Sequence, residues 1–456
     1  ARARKQNVTS RALRLTGSWS PSSNRIHTTS FVYNRYRNPS LSAQADGDWQ
    51  RYLGLQESTG AGLFPEISFG SAVNGIGTTA IGYGSSNQYI ANNYILSDAV
   101  NWNRGRHNLK FGGEFWAQQM NSHAGLDVLK FDFASTQTGL PGYSWSDKVG
   151  FGFASFFLGE ANGGSKNVPF DLYGRRKYLA LFFQDDYRIT DSFTLNLGLR
   201  WEQTQPFHEK YGRWASFNPE LKNTALNIAG ALEFPSHPQD SFEKQKDWKE
   251  FGPRIGAAYR ATPKLVLRAA YGLPYIPLGL NYWSGTPYGF APGYRGTNTQ
   301  TASPNLPKFN WDNGYPDNYQ APVRDPNALV YGMVAMDERS LFAGYVHQYN
   351  AGVQFEPIRD TLVEIAFMGN QGRRLHNGAL RRNQPLRAAY EDPKVDPWAW
   401  IWDADSAAAA GVRYPYAGFS NYAGVALQPF PHVAAETYGP LYFVGTPKGS
   451  SGYKSL

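Results

Sequence analysis

Few residues in this sequence have the types and spacing that catalysis or cofactor binding requires. Residues 75–80, GIGTTA, match the glycine pattern of dinucleotide-binding loops, but neither a preceding strand nor a following helix is predicted around them. None of the eight histidines has a second histidine four residues away, as a helical metal-binding pair would. Asp185 and Asp186 are adjacent and would point to opposite faces of a strand. The sequence therefore predicts no catalytic, cofactor or metal site, and a protein that is not an enzyme.

Charged side chains inside otherwise apolar alternating segments are a more informative set. The set comprises Lys110, Glu114, Asp186, Arg188, Arg200, Glu202, Arg254 and Arg268. A charge enclosed by a protein is costly unless it meets water or an opposite charge. These eight residues are therefore predicted to line an aqueous path or to pair with something that fills it.

Two further segments, residues 282–294 and 398–416, are crowded with Tyr, Trp, Pro and Gly. Their candidate ligand contacts are Tyr282, Trp283, Tyr288, Tyr294, Trp398, Trp400 and Trp402. Exposed aromatic side chains at this density are typical of ligand or partner contact. Packing of loops against one another would produce the same composition, and the sequence leaves both interpretations open.

Alternation of apolar and polar residues identifies the elements that must carry the charged set. The pattern is clearest in residues 193–202, where all five alternate residues from Phe193 to Trp201 are apolar. Residues 179–189 alternate in the same way, and the short link 190–192 predicts a β-hairpin. Further pairs of predicted strands lie within residues 13–35, 94–118, 254–273 and 348–367. Together they predict about ten strands and an eleventh near residues 452–456.

The links between the predicted strands fall into two length classes that alternate along the chain. Short links lie at residues 20–24, 103–106, 190–192, 261–264 and 357–360, and long ones at about 38–87, 121–175, 205–252, 277–344 and 373–447. Short turns at one end and long loops at the other are typical of a transmembrane β-barrel. Trp and Tyr near predicted strand ends, including Trp116 and Trp201, favour lipid interfaces, whereas a soluble β-sheet is the alternative.

Composition excludes several other classes of protein. No run approaches the roughly 18 apolar residues that a membrane-spanning helix needs. Cysteine is absent, which excludes disulfides and thiolate sites. The net charge is +8, but the basic residues are scattered and predict no nucleic-acid partner. With 47 Gly, 29 Pro and 15% aromatic residues, the composition favours many short strands and turns.

Three segments resemble elements of TonB-dependent outer-membrane receptors of the Oar-like, carboxypeptidase-regulatory-domain type. They are residues 102–115 (WNRGRHNLKFGGEF), residues 181–202, which run from LFFQDDYRIT to LNLGLRWE, and residues 367–375 (FMGNQGRRL). The resemblance implies a barrel of about 22 strands in the bacterial outer membrane. On this view residues 1–456 form a fragment of the barrel domain with ten to eleven strands, and the plug and the TonB-contacting segment lie outside this chain.

The resemblance also implies a function. A receptor of this type takes up or binds an extracellular ligand through its long loops, and plug movement opens the lumen. Its partners would be outer-membrane lipid, its own plug domain, TonB and an unknown extracellular ligand. Arg188, Arg200 and Arg268 would then face the plug or the lumen. Two alternatives remain open: an adhesin-like outer-membrane anchor for surface interactions, and a passive porin.

Overall fold

The computed structural model of the protein describes most of the chain. The described residues are 4–42, 47, 49–55, 64–70, 80–82, 87–124, 129–140, 150–167, 170–278, 297–301, 307–313, 324–328, 334–337, 339–377, 380–381, 383–434 and 442–456. The aromatic candidates Tyr282, Trp283, Tyr288 and Tyr294 and most of the glycine-rich loop, residues 75–79, lie outside these ranges. No helix within the described ranges is long and apolar enough to span a membrane.

One antiparallel sheet of 13 strands, here called the wall sheet, dominates the fold. Its strands are β1 (Arg4–Gln6), β2 (Thr9–Ser22), β3 (Arg25–Ser42), β5 (Asn87–Arg104), β6 (His107–Ala124), β10 (Phe170–Arg188), β11 (Phe193–Thr204), β12 (His208–Glu209), β15 (Phe251–Thr262), β16 (Leu265–Gly272), β20 (Tyr345–Ile358), β21 (Thr361–Asn377) and β26 (Thr446–Ser455). Several of these strands are far longer than the predicted ten residues. Because about ten residues of a tilted strand span a bilayer, the longer strands extend beyond it.

The wall sheet is a meander in which neighbours in sequence are neighbours in space. β1 and β2 both pair with β3, so they occupy one edge position, and the order then runs β3-β5-β6-β10-β11-β15-β16-β20-β21-β26. This gives eleven strand positions, which confirms the predicted ten to eleven. Among the described strands, β2 and β26 each have a single neighbour, so the wall sheet does not close on itself. The described strands thus form an open antiparallel meander, the arrangement expected of a β-barrel wall.

Cross-strand register gives the wall sheet two distinct faces. Leu15, Phe31, Leu96, Phe115 and Leu179 are partners in successive pairs across five strands, and cross-strand partners share a face. The large side chains of this apolar face are left uncovered by protein. Examples are Leu15, Leu181 and Ile365, whose exposed fractions are 58%, 51% and 62%. The period-two prediction is therefore confirmed.

Trp116 departs from the sequence prediction. It was expected near a strand end at the lipid interface, but it pairs with Ile95 and Tyr178 on the opposite, polar face, well inside β6. Its indole Nε1 donates a hydrogen bond to Glu114, two residues earlier on the same face. Residue type and position near a turn therefore did not suffice to predict the face on which Trp116 lies. The alternation of side chains along the strand places its ring among the charged side chains.

Tight turns join the wall strands at one end. Gly105 and Arg106 alone connect β5 to β6, and Gly105 has φ of 60°. A two-residue hairpin turn that matches strand twist needs positive φ, which glycine adopts without steric cost. At the turn between β20 and β21, Asp360 takes the same region with φ of 63°. The short links are therefore where the sequence predicted them.

The five long connections at the other end of the wall carry structure of their own, and together they are called the loop layer. Its strands are β4 (Glu66–Phe69), β7 (Leu129–Phe133), β8 (Glu160–Ala161), β9 (Gly163–Asn167), β13 (Ser216–Asn223), β14 (Ile228–Glu233), β17 (Thr297–Thr301), β18 (Phe309–Asn310), β19 (Val334–Met336), β22 (Leu380–Arg381), β23 (Trp400–Ile401), β24 (Asn421–Tyr422) and β25 (Tyr442–Val444). Its helices are α1 (Trp49–Tyr52), α2 (Gly152–Phe157), α3 (Arg387–Tyr390), α4 (Ala404–Ala409) and α5 (Ala423–Ala426), with 3-10 turns at Ser135–Gln137, Trp311–Asn313 and Pro431–Ala434.

The loop layer is held by several separate hydrophobic cores. One of them gathers Ile67, Phe131, Phe133 and Phe309, which come from three different connections. A second joins Phe217 and Leu232 to Ala335 and Val433, again from three connections. A third lies within residues 395–427 alone. The long connections are therefore packed against one another and form a folded layer.

Candidate functional site

An ion-paired cluster lies on the polar face of the wall sheet, and we call it the Arg200 cluster. Arg200 Nη2 is 3.2 Å from Glu114 Oε2, and Arg200 Nε is 2.5 Å from Glu202 Oε1. The same Nη2 donates to Tyr178 Oη at 3.0 Å, and Trp116 donates to the other oxygen of Glu114. One cation therefore contacts two carboxylates and a phenol hydroxyl.

Strand register explains how residues from three strands meet in the Arg200 cluster. Ala180 of β10 pairs with Glu114 on one side and with Glu202 on the other, so the two carboxylates flank a residue with a small side chain. Arg200 lies two residues before Glu202 and so on the same face. The side chains of Arg200 and Glu114 are 23% and 25% exposed, which leaves the cluster open to water. Tyr178 and Trp116 belong to it although the sequence analysis did not select them for it.

A second row of polar residues crosses four strands beside the cluster. Lys110 pairs with Gln184, Gln184 with Gly198, and Gly198 with Arg254. These residues and Arg200 line a cavity of about 240 Å³. Within the described part of the chain, neither Lys110 nor Arg254 has an ion-pair partner. Among the described residues, these two cations of the cavity lining therefore have no acidic partner.

The remaining charged candidates lie nearer the short turns. Asp186 Oδ1 accepts from Asn196 at 2.6 Å and from Gln184 at 3.3 Å. Arg188 and Arg268 lie in one cross-strand row, separated by two intervening partners, and both side chains are exposed. All eight charged candidates thus lie on the polar face, but the structure brings only Glu114, Arg200 and Glu202 into direct contact.

Three of the seven aromatic candidates fall within the described residues. Trp398, Trp400 and Trp402 are 64%, 49% and 59% exposed, while Ile401 between two of them is fully buried. Trp400 packs edge-on against Tyr422 with 5.1 Å between ring centroids and donates to Ser420 Oγ at 3.2 Å. The segment therefore exposes its tryptophan rings to solvent, while the buried Ile401 holds it against the loop layer.

Two buried acidic side chains in the loop layer escaped the sequence analysis. Glu243 forms an ion pair with Arg176, and their side chains are 1% and 0% exposed. Glu250 accepts from the backbone N–H of Ala343 at 2.9 Å, and burial raises the pKa of its carboxyl to about 7. Residue spacing could not have predicted either site, because Glu243 and Glu250 each contact a residue that is distant in sequence. Among the described residues, no group of three or more His, Asp or Glu could hold a metal ion.

A family model described as an outer membrane beta barrel domain matches residues 2–454. The chain belongs to this family. As an outer membrane β-barrel domain it resides in the bacterial outer membrane, and the uncovered apolar face of the wall sheet is the side that meets lipid. The polar face with the Arg200 cluster is the opposite side, and the loop layer caps the end of the wall with long connections.

Solved structures that align with this chain include outer-membrane transporters. The outer membrane transporter YddB from Escherichia coli aligns with a TM-score of 0.49 at 9% identity, covering 84% of this chain and 36% of that one. The ferric-catecholate import receptor Fiu from E. coli K12 gives 0.36 at 10% identity, covering 82% and 42%. The FrpB iron transporter from Neisseria meningitidis gives 0.36 at 10% identity, covering 83% and 38%.

This outer membrane β-barrel domain therefore spans about two fifths of the length of those structures. At such identities the likeness concerns the fold alone. A search of curated proteins finds no match to the sequence.

Proposed function

We propose that this outer membrane β-barrel domain is the barrel portion of a TonB-dependent receptor of the Oar-like, carboxypeptidase-regulatory-domain type. The receptor takes up an extracellular ligand that its loop layer captures. A plug domain of the same protein fills the lumen, and TonB is the partner that moves it. The domain performs no catalysis of its own.

One observation carries the proposal: the polar face combines paired and unpaired charges. The Arg200 cluster is internally compensated, whereas the cavity beside it leaves Lys110 and Arg254 without acidic partners among the described residues. Cations that line a lumen need water or an opposite charge. Carboxylates of a plug supply that charge, and Asp186, Arg188 and Arg268 extend the same surface toward the short turns.

The proposed ligand contacts lie in the loop layer. The exposed rings of Trp398, Trp400 and Trp402 support this role, because large exposed aromatic surfaces mark contact sites. Tyr282, Trp283, Tyr288 and Tyr294 are proposed to contribute to the same capture surface. The folded state of residues 395–427 also favours a binding role, because their own core holds the segment of Trp398, Trp400 and Trp402 in a defined position.

The test compares cells that express the full-length protein with a deletion strain. We expect the expressing cells to deplete a component of the growth medium, and an uncoupler of the proton gradient to abolish that depletion. Arg200→Leu leaves Glu114 and Glu202 without their cation and should reduce both depletion and barrel assembly, whereas the turn variant Arg359→Ala, at a side chain 95% exposed, should change neither. Normal assembly and depletion with Arg200→Leu would count against the role of the cluster.

Two alternatives make different predictions in the same experiment. A passive porin would deplete the medium in the presence of the uncoupler and would show steady conductance in a planar bilayer. An adhesin-like anchor would bind its partner without any depletion. The intact mass of the polypeptide from its native membrane separates the cases further: we expect about twice the 50.9 kDa of these 456 residues, with plug peptides included.

A further inference from the structure

A groove on the surface of the loop layer lies among residues 384–428, and we call it the Trp398 groove. Its volume is about 360 Å³, within the range of about 300–1,000 Å³ typical of small-molecule sites. Its lining includes Gln384, Arg387, Tyr390, Trp398, Tyr422 and Gln428. The groove is carried by a unit with its own hydrophobic core, so its walls are fixed independently of the rest of the loop layer.

Aromatic rings form one side of the Trp398 groove. The Trp398 ring is 64% exposed and meets Tyr422 edge-on, with 6.4 Å between centroids. Tyr390 lies close above Gly424, where an added Cβ would come within 3.1 Å of its ring. The glycine thus lets the Tyr390 ring approach the floor. The result is an open apolar surface that a flat ligand can stack on.

Planar hydrogen-bonding groups form the rim. Arg387 Nε donates to Glu391 Oε1 at 2.8 Å across one helical turn. Asn383 Nδ2 donates to Gln428 Oε1 at 2.9 Å, which orients the Gln428 amide, and within the described ranges the Nε2 of Gln428 has no protein acceptor. The rim therefore offers guanidinium, carboxylate and amide groups side by side, with one positive and one negative charge that cancel.

This combination restricts the chemistry of the ligand. A neutral rim gives no advantage to a charged ligand, and a ring of donors and acceptors disfavours a purely apolar one. A neutral saccharide satisfies both sides, because a pyranose ring has an apolar C–H face that stacks on aromatic rings and hydroxyl groups at its edge that bond to planar polar side chains. We propose that the Trp398 groove binds a neutral glycan through Trp398, Tyr390 and Tyr422.

A proline-rich peptide is the main competitor, since such peptides also lie in aromatic grooves. The rim favours the glycan. A polyproline segment has carbonyl acceptors but few donors, because proline lacks a backbone N–H. It would offer no donor to the second carboxylate oxygen of Glu391, Oε2, whereas sugar hydroxyls serve as both donors and acceptors.

The inference rests on the proposed receptor function, since it names the ligand class that the loop layer captures. The two can nevertheless fail separately. Glycan binding without gradient-dependent depletion of the medium would leave the inference intact and identify the protein as an anchor. Gradient-dependent depletion that Trp398→Ala leaves unchanged would retain the transport function and remove the glycan assignment.

The experiment uses the purified full-length protein and an array of neutral oligosaccharides that includes α- and β-linked glucans, mannans and xylans. A proline-rich decapeptide and an oligogalacturonate serve as the competing probes. We expect wild type to retain a neutral oligosaccharide and Trp398→Ala to weaken its binding about tenfold, the order expected for one lost aromatic contact. Trp398→Phe should restore part of the affinity. The matched control is Trp248→Ala, which removes a Trp that is 54% exposed and lies outside the groove.

Heat-modifiable migration on a gel checks that each variant retains a folded barrel. The proposal would be overturned by no neutral oligosaccharide retained by wild type, by equal retention by wild type and Trp398→Ala, or by retention of the peptide or the galacturonate alone. Equal losses in Trp398→Ala and Trp248→Ala would also overturn it, because a general loss of exposed indole would then explain the effect.

Discussion

The wall sheet and the loop layer place their apolar side chains in opposite ways. In the wall sheet Leu181 and Ile365 are more than half exposed, and strand pairing holds the backbone while lipid covers these side chains. In the loop layer Phe131 and Trp214 are fully buried, as they would be in a soluble domain. The same chain therefore exposes apolar side chains to lipid along its wall strands and buries them away from water in its long connections.

Ion pairs in the two regions differ in the same sense. The Arg200 cluster of the wall is open to water, with the Arg200 and Glu114 side chains about a quarter exposed and that of Glu202 10% exposed. The pair that joins Arg176 of β10 to Glu243 of the loop layer is buried, at 0% and 1% exposure. An exposed pair contributes little to stability, whereas breaking a sealed one leaves an uncompensated buried charge. The comparison therefore predicts that single substitutions will be most damaging where a wall strand forms a buried pair with the loop layer.

The largest expected effect comes from Arg176→Met. The side chain keeps a similar length but leaves the Glu243 carboxylate buried without its cation, at a cost of about 3–5 kcal/mol. Glu243 also accepts from the backbone N–H of Phe207 at 2.6 Å, so the connection after β11 should loosen. Hydrogen exchange should rise across residues 205–250, while heat-modifiable migration shows an intact barrel.

Two further variants define that result. Lys244→Ala removes an exposed pair with Glu233 and should cost less than about 1 kcal/mol. Arg176→Met combined with Glu243→Gln removes both charges but keeps a carbonyl for Phe207, so much of the loss should be recovered. If Arg176→Met and Lys244→Ala had equal effects on hydrogen exchange, the contrast between sealed and open pairs would be wrong.

The strands of the wall sheet were predictable from sequence because the patterns that identify them lie within short stretches of the chain. Period-two alternation and the alternation of short and long links are both visible within a few dozen residues, and they placed Glu114, Arg200 and Glu202 on one face. The contact between Glu114 and Arg200 was not predictable in the same way. Glu114 reaches Arg200 across β10, so the contact depends on the register of three strands. The same missing register concealed Trp116 and Tyr178.

The loop layer was not predictable because its contacts are long-range. Arg176 and Glu243 are 67 residues apart, and Phe131 meets Phe309 from a different connection. Aromatic composition left residues 398–416 open between ligand contact and loop packing, because composition cannot separate the exposed Trp398 from Tyr416, which packs against the small core. That distinction depends on which side of the small core each residue occupies.

The second prediction concerns the apolar side chains of the two regions. Leu181→Arg puts a charge on the lipid face of the wall and should cost about 2–4 kcal/mol near the middle of the membrane. Leu386→Arg puts the same charge in the loop layer, where the native side chain is 79% exposed to water, and should cost almost nothing. Urea titration of barrels refolded into lipid vesicles measures both. Equal costs would mean that the apolar face of the wall does not meet lipid.

The smallest expected effect is a pH dependence of the loop layer at Glu250. Burial raises the pKa of its carboxyl from 4.5 to about 7 in the folded state. Repulsion by Asp247 and Glu202 adds to this rise, whereas the backbone N–H of Ala343 and the attraction of Arg374 oppose it. Between about pH 4.5 and 7 the unfolded state therefore ionises first, so stability is lost as the pH rises and the loss is complete above pH 7.

Glu250→Gln should remove that loss, because the amide oxygen can still accept from Ala343 and carries no charge. At pH 8 the variant should resist local opening by about 1–2 kcal/mol more than wild type, and at pH 4.5 the two should match. Hydrogen exchange of the Ala343 amide measures the difference, and Glu220→Gln at an exposed side chain is the control. A Glu250→Gln variant that is weaker than wild type at pH 8 would show that the ionised carboxylate stabilises the loop layer, as the carboxylates of Glu114 and Glu202 do beside Arg200 in the wall.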